Sequence, residues 1–195
     1  MVDGYKTMKQ DNRVYFFHRK DWREWLKEHF DTASGVWLIY PKKHSGKKKI
    51  SYNDAVEEAL CFGWIDSVHK PLDPDHTMQR FSPRRAGSSF SQSNKERLRW
   101  LAEQDLLHPS IQEKVERVLR EEFIFPKDIM EAIRQEKDAW VHYQKQSDSY
   151  KRIRIAYIDG ARQRPEEFQK RLAHFIRKSR EGKRIIGFGG VDKYY

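Results

Sequence analysis

The stretch "SYNDAVEEALCFGWIDSV" (Ser51–Val68) carries the signals of a helix followed directly by those of a strand. Ser51 predicts the helix N-cap, since its hydroxyl can accept a hydrogen bond from the N–H of Asp54. Apolar residues then recur at helical spacing as far as Leu60. Gly63 predicts the end of the helix, because glycine adopts a left-handed conformation without a Cβ clash. The segment "WIDSV" that follows is typical of a strand.

Three neighbouring segments predict the rest of a sheet. "VWLIY" (Val36–Tyr40) is a short apolar run that indicates a buried strand, and "RVYFF" (Arg13–Phe17) is rich in strand-forming residues. "MQRFS" (Met78–Ser82) follows the turn-rich "KPLDPDHT" (Lys70–Thr77), so we expect it to pair with "WIDSV" as a hairpin.

Helix signals dominate the remaining sequence. Asp21 predicts the N-cap of an early helix, and Ser93 or Asn94 predicts another. Pro109 and Pro165 fit the first turn of two later helices. The expected fold class is therefore α+β, with a small mixed sheet and helices followed by a C-terminal helical unit. We expect a domain boundary near residue 125, which gives domains at residues 1–125 and 126–195.

The 195-residue chain has a formal net charge of +10, with 37% hydrophobic and 13% aromatic residues, which is compatible with a packed core. Residues 127–195 contribute +7 of that charge. A basic excess favours anionic partners, and the sequence leaves open an anionic small molecule, a protein partner or nucleic acid. The oligomeric state is not indicated.

Several classes of protein and site are disfavoured by what the sequence contains. A single cysteine, Cys61, excludes an internal disulfide and a cysteine-rich metal site. The first residues lack the apolar region of a secretory signal, and no apolar run approaches the length of a membrane span, so the expected location is the cytoplasm. We found no motif for a metal or a cofactor and expect none.

The densest cluster of polar residues lies in and after the predicted hairpin. Alternation along a strand places Trp64 and Asp66 on one face, yet each face of the hairpin mixes polar and apolar groups, which is unusual for a purely structural strand. This mixture favours a binding surface, although a solvated hairpin with cross-strand ion pairs explains it equally well. The candidate ligand-binding residues are Trp64, Asp66, Lys70, Asp73, Gln79, Arg80, Arg84, Arg85, Ser91 and Asn94.

The loop "PKKHSGKKK" (Pro41–Lys49) adds a basic segment in which Lys42, Lys43 and Lys47 are candidates for phosphate contacts. A lysine-rich loop that is simply solvated is the alternative. Aromatic residues nearby in sequence leave nucleic-acid binding open as a second function.

An enzyme remains a third possibility that the sequence does not favour. It would use Asp66 or Asp73 with Arg84, and would require a carboxylate of perturbed pKa in a cleft. Cys61 is a poor nucleophile candidate, since it lies near the end of a helix between Leu60 and Phe62 and is expected in the core.

The sequence resembles the bacterial YdeI/OmpD-associated proteins, also described as bacteriocin-protection proteins. Three stretches carry the resemblance: residues 36–67, "QRFSPRR" with "SFSQSN", and residues 147–184. The matching positions also include Phe81 and Pro83. Phe90 departs from the family pattern, which often has tryptophan there. The resemblance implies a role in envelope stress or in resistance to antimicrobial peptides, and it implies no catalytic residue.

Overall fold

A computed structural model of the protein describes residues 12–85, 87–187 and 190–195. It is an α+β structure, as the sequence predicts, with a four-stranded mixed sheet and eight α-helices among these residues. The strands are β1 (Arg13–Val14), β2 (Val36–Pro41), β3 (Trp64–Pro71) and β4 (His76–Pro83). The helices are α1 (Arg19–His29), α2 (Tyr52–Cys61), α3 (Gln92–Glu103), α4 (Pro109–Leu119), α5 (Lys127–Gln135), α6 (Lys137–Gln144), α7 (Asp148–Asp159) and α8 (Pro165–Arg180).

The sheet has the strand order β1-β2-β4-β3. The short β1 runs parallel to β2, and β4 is antiparallel to both β2 and β3. The predicted hairpin is therefore present, with β4 in the centre of the sheet. A register shift between Asp66 and His69 interrupts the pairing of β3, so strict alternation along that strand ends there.

Contacts divide the chain into two compact units. The first, here the N-terminal unit, comprises the residues up to Ser89 together with Leu101–Glu116. The second, the C-terminal unit, comprises Phe90–Trp100 and Arg117–Tyr195. The boundary near residue 125 stays a prediction. None of the helices in the described ranges is both long and apolar enough to cross a bilayer.

The core of the N-terminal unit lies between helices α1 and α2 and one face of the sheet. Trp22 and Trp25 are buried and stack with ring centroids 5.3 Å apart, and Trp22 meets Phe81 of β4 edge-on. The Trp22 indole N–H also donates to the carbonyl of Ala55 in α2 at 3.0 Å. These contacts fix both helices to the same face of the sheet.

Two helix boundaries were predicted at the correct residues. Ser51 caps α2 by accepting a hydrogen bond from the N–H of Asp54 at 3.0 Å, and Gly63 follows the helix with φ +74°. The predictions for α1 and α3 were wrong by a few residues. Helix α1 begins at Arg19, two residues before Asp21, and α3 begins at Gln92.

The core of the C-terminal unit is made by α5 to α8. Its buried cluster includes Ile133, Tyr143, Ile155 and Phe175, with partly buried hydrophobic side chains packed around it. From α5 to the end of α8 the chain consists of helices and the short connections between them, as predicted, whereas residues 183–187 form no regular element.

Candidate functional site

The two faces of the sheet differ in what their side chains contact. Along β2, Val36, Leu38 and Tyr40 are buried, whereas Trp37 and Ile39 between them are half-buried. This alternation follows directly from the period of a strand. The register places Trp37 beside Arg13 of β1 and Arg80 of β4.

Two cations lie close to the Trp37 ring. The ammonium of Lys70 is 4.4 Å from the ring centroid, and the guanidinium carbon of Arg80 is 5.8 Å from it. Both distances are within the range of a cation–π interaction. The side chains of Arg13, Trp37, Ile39, Lys70 and Arg80 are hereafter called the Trp37 face. It brings together two residues that the sequence singled out, Lys70 and Arg80.

Gly35 allows Arg80 to lie where it does. Its φ of +142° is rarely adopted by other residues, and a Cβ there would lie 2.8 Å from a terminal nitrogen of Arg80 and 2.9 Å from the Phe81 carbonyl oxygen. A side chain at this position would therefore clash with the backbone of β4 and displace the guanidinium.

A cavity of about 420 Å³ adjoins the Trp37 face. Its lining mixes apolar, basic and aromatic side chains, and it includes two of the predicted site residues, Lys47 and Asp73. The complete lining consists of Arg13, Tyr15, Ile39, Lys47, Leu72, Asp73 and His76. Because Arg13 and Ile39 belong to both features, the Trp37 face and the cavity form one continuous surface.

The turn between β3 and β4 is organised around the Asp73 carboxylate. One of its oxygens accepts hydrogen bonds from the N–H groups of Asp75 and His76, both at 2.8 Å. The His76 ring bonds to the same carboxylate at 2.8 Å through Nδ1, and its Nε2 lies 3.5 Å from the Lys47 ammonium. The hydrogen bond from His76 lowers the pKa of Asp73 below its ordinary value.

The basic loop is joined to this turn by Lys42, whose ammonium donates a hydrogen bond to the Pro74 carbonyl at 2.8 Å.

Two of the predicted residues, Trp64 and Gln79, are buried in the N-terminal unit, and a third, Asp66, is half-buried. Trp64 is 1% exposed, and its indole N–H donates to the Phe30 carbonyl at 2.9 Å. Gln79 is buried as well and donates to Asp66 at 3.3 Å. Asp66 also accepts a hydrogen bond from the Tyr52 hydroxyl at 2.8 Å. The mixed polarity noticed in the hairpin therefore corresponds in part to hydrogen bonds between side chains of the N-terminal unit itself.

The remaining predicted residues lie elsewhere. The Arg84 guanidinium donates to the Ser88 and Ser89 carbonyls at 3.2 and 2.7 Å, so it holds its own loop together, and burial lowers its pKa. Arg85 is exposed, as is Lys43 in a short 3-10 helix (Lys43–Ser45).

Ser91 and Asn94 belong to the C-terminal unit. The Ser91 hydroxyl accepts a hydrogen bond from the Asn94 N–H at 3.3 Å, an arrangement that caps α3, and the Asn94 side chain accepts one from Arg97 at 3.0 Å.

The sequence interpretation missed Trp37, Arg13, Tyr15 and His76. Alternation along "VWLIY" was a usable signal for Trp37, since it separates this residue from its buried neighbours. The neighbours of Trp37 across the sheet could not be predicted from this alternation. They depend on the pairing of β2 with β4 and on its register, which the tertiary fold determines.

The site offers positive charge beside an aromatic ring. The carboxylate of Asp66 is bonded to Tyr52 and Gln79, and that of Asp73 to its own turn. Within the described ranges, no three histidine, cysteine, aspartate or glutamate residues group as metal ligands.

Comparison with known families divides the chain in two. Residues 14–114, just over half of the chain, match the model described as "Domain of unknown function (DUF8412)". Residues 122–182 match the model described as "Bacteriocin-protection, YdeI or OmpD-Associated". No match was found among curated proteins or among solved structures.

The two matches assign the resembling stretches differently. Most of residues 147–184 fall within the YdeI/OmpD-associated match, whereas residues 36–94, with all of the Trp37 face and its cavity except Arg13, fall within or directly beside the other. The C-terminal part of the chain therefore carries a YdeI/OmpD-associated domain, and by the larger match the chain belongs to the family defined by the domain of unknown function DUF8412.

Proposed function

We propose that the N-terminal unit binds an anionic ligand on the Trp37 face without catalysing a reaction. The observation that carries this proposal is the placement of the Lys70 and Arg80 cations at 4.4 and 5.8 Å from one half-buried indole, beside a cavity of about 420 Å³. A cavity of this size is within the usual range of about 300–1,000 Å³ for small-molecule sites.

The charges around the site favour an anion. Arg13 and Lys47 line the cavity, and Lys70 and Arg80 are adjacent, whereas Asp73 is the one carboxylate in the cavity lining. Its hydrogen bonds from the turn N–H groups and His76 already satisfy that carboxylate. An incoming phosphate or carboxylate would therefore meet a net positive surface, with arginine able to form a bidentate fork.

The decisive variant removes both cations from the indole. In full-length protein, we expect Lys70→Gln with Arg80→Gln to raise the Kd of an anionic probe at least about tenfold, since a hydrogen bond to a charged group contributes about 1.5–3 kcal/mol. Suitable probes are inorganic phosphate and adenosine monophosphate, measured by calorimetry and by the ligand-dependent rise in Tm.

The matched control is Lys20→Gln with Lys49→Gln, which removes the same charge from two exposed lysines of the same unit. If both double variants weaken binding equally, the effect is one of net charge and the proposal is wrong. If wild-type protein binds neither phosphate nor the nucleotide, the proposed ligand class is wrong.

Single-stranded nucleic acid is the second candidate, favoured by the half-buried Trp37 ring among cations. Aromatic side chains in basic grooves stack with bases in proteins that bind single strands. For such binding, log K falls with log salt by about 0.7 for each phosphate contacted. We expect the Lys70→Gln, Arg80→Gln variant to reduce this slope by about 1.4 for a short oligonucleotide. An unchanged slope would exclude phosphate contacts by Lys70 and Arg80 and would count against this candidate.

We also propose that this binding serves protection against bacteriocins or other envelope stress, with the protein acting in the cytoplasm. The description of the family matched by residues 122–182 supports this role. In a host strain lacking the gene, wild-type protein should restore survival under a bacteriocin challenge and the double variant should not. If both proteins restore survival equally, protection does not depend on binding at the Trp37 face.

A further inference from the structure

The C-terminal unit contains a second cavity of about 420 Å³, formed by α7, α8 and the segment that follows α8. Its apolar wall consists of Tyr157, Ile158, Phe175, Ile185 and Ile186. Its polar lining consists of Arg154, Glu167, Lys170, Arg171 and His174, with Gly187 completing the rim.

A buried arginine distinguishes this cavity. Arg154 is 4% exposed and forms no ion pair with any carboxylate of the described ranges. One terminal nitrogen donates to the Ile185 carbonyl at 2.6 Å and to the Tyr195 hydroxyl. Its Nε is buried and has no hydrogen-bond partner within the described chain. A buried charge that lacks a counterion is costly, so this position favours an anion.

The remaining charges leave the cavity positive. Arg171 is neutralised by Glu167, which accepts its Nε–H at 2.7 Å, and its guanidinium carbon lies 3.8 Å from the Tyr157 ring centroid. Burial and the nearby charge of Arg177 lower the pKa of His174, which favours the neutral ring. Arg154 and the exposed Lys170 are the cations of this lining that no carboxylate of the lining neutralises.

We infer that this cavity binds an amphipathic organic carboxylate, whose hydrocarbon body lies against the isoleucine and phenylalanine wall and whose head group is held by Arg154 and Lys170. Ile186, which is 70% exposed, would be covered by the hydrocarbon body. This accounts for an exposed large apolar side chain at the rim of a cavity that already contains an uncompensated cation. The site is in the other unit and is independent of the Trp37 face.

The test measures decanoate binding to the full-length protein by calorimetry, with decyltrimethylammonium as a probe of the same chain and opposite charge. We expect saturable binding of decanoate and none of the cation. Ile186→Asp should weaken decanoate binding by about tenfold or more, because it removes apolar contact and adds a repelling charge. The matched control is Val141→Asp, which makes the same change at an exposed apolar residue of this unit outside the cavity lining and should leave the affinity unchanged.

The head-group contacts are tested separately. Lys170→Gln should weaken binding about two- to fivefold, the range of an exposed ion pair, whereas Lys145→Gln at the C-cap of α6 should not. Arg154→Lys keeps the charge but removes Nε, and should weaken binding while near-ultraviolet circular dichroism verifies that the fold is retained. Equal affinities in Ile186→Asp and Val141→Asp, or equal binding of both surfactants, would overturn the proposal.

Discussion

The ammonium of Lys70 lies 4.4 Å from the centroid of the Trp37 ring, although β4 separates the strands on which the two residues lie. Lys70 is exposed and Trp37 is half-buried, so the contact lies at the surface of the sheet.

We expect Lys70→Ala to lower the free energy of unfolding by about 0.5–1 kcal/mol, because it removes this contact. Urea denaturation measures the change, with the exposed Lys49→Ala as control. In a Trp37→Leu background the effect of Lys70→Ala should vanish, and an undiminished effect would contradict the contact.

Gly63 is required at the end of α2 for two separable reasons. Its φ is +74°, and a Cβ at this position would lie 3.1 Å from a methyl carbon of Ile111. Gly46 has a similar φ of +65° but open space around the corresponding position. Gly46→Ala should therefore cost about 1 kcal/mol of unfolding free energy from backbone strain, whereas Gly63→Ala should cost more because Ile111 must also move. Equal Tm decreases for the two variants would contradict the packing argument.

Cys61 is predicted to be unreactive in the folded protein. It is fully buried, and burial, followed by the charge of Glu58, raises the pKa of the thiol to about 12. Because the thiolate is the reactive species, iodoacetamide should modify native protein very slowly at pH 8 and protein unfolded in urea rapidly. Mass spectrometry measures both rates, and the single cysteine makes the result unambiguous. Rapid modification of the native protein would contradict this environment.

Local signals in the sequence predicted the elements that local chemistry determines. Ser51 and Gly63 bound α2 as expected, because the cap hydrogen bond and the left-handed φ involve neighbouring residues alone. Asp21 failed as a helix start, since α1 begins at Arg19, whose guanidinium makes ion pairs with Glu57 and Glu58 of α2. A local cap signal carries no information on such a contact with a distant helix.

The candidate site was predicted less completely for the same reason. Lys70 and Arg80 were identified from their charge, but Trp37 lies more than thirty positions earlier and meets them only because β2 pairs with β4. Trp64 was singled out as part of the hairpin of mixed polarity, yet its side chain belongs to the core of the unit. The register of a sheet decides such placements, and a single sequence specifies it weakly.

The buried carboxylate of Glu96 should be one of the stronger single contributors to the stability of the C-terminal unit. Its side chain is 2% exposed and accepts two hydrogen bonds from Arg152, at 2.6 and 2.9 Å, and one from Arg99 at 2.8 Å. Glu96→Gln leaves these guanidinium groups without their counterion, so we expect a loss of about 3 kcal/mol in unfolding free energy. The exposed Glu103→Gln on the same helix is the control and should change stability little.

The same carboxylate makes stability depend on pH in a defined direction. Burial of Glu96 favours its neutral form, but the hydrogen bonds from Arg152 and Gln92 and the charge of Arg99 outweigh burial and lower its pKa below the ordinary 4.5. A group whose pKa is lower in the folded state stabilises the protein above its unfolded pKa, and this contribution is lost as pH falls through the folded value. Wild-type protein should therefore lose more unfolding free energy between pH 7 and pH 3 than Glu96→Gln does, as measured by urea denaturation at each pH. If the two proteins lose the same amount, Glu96 titrates with an ordinary pKa and its pairing with Arg152 does not hold in solution.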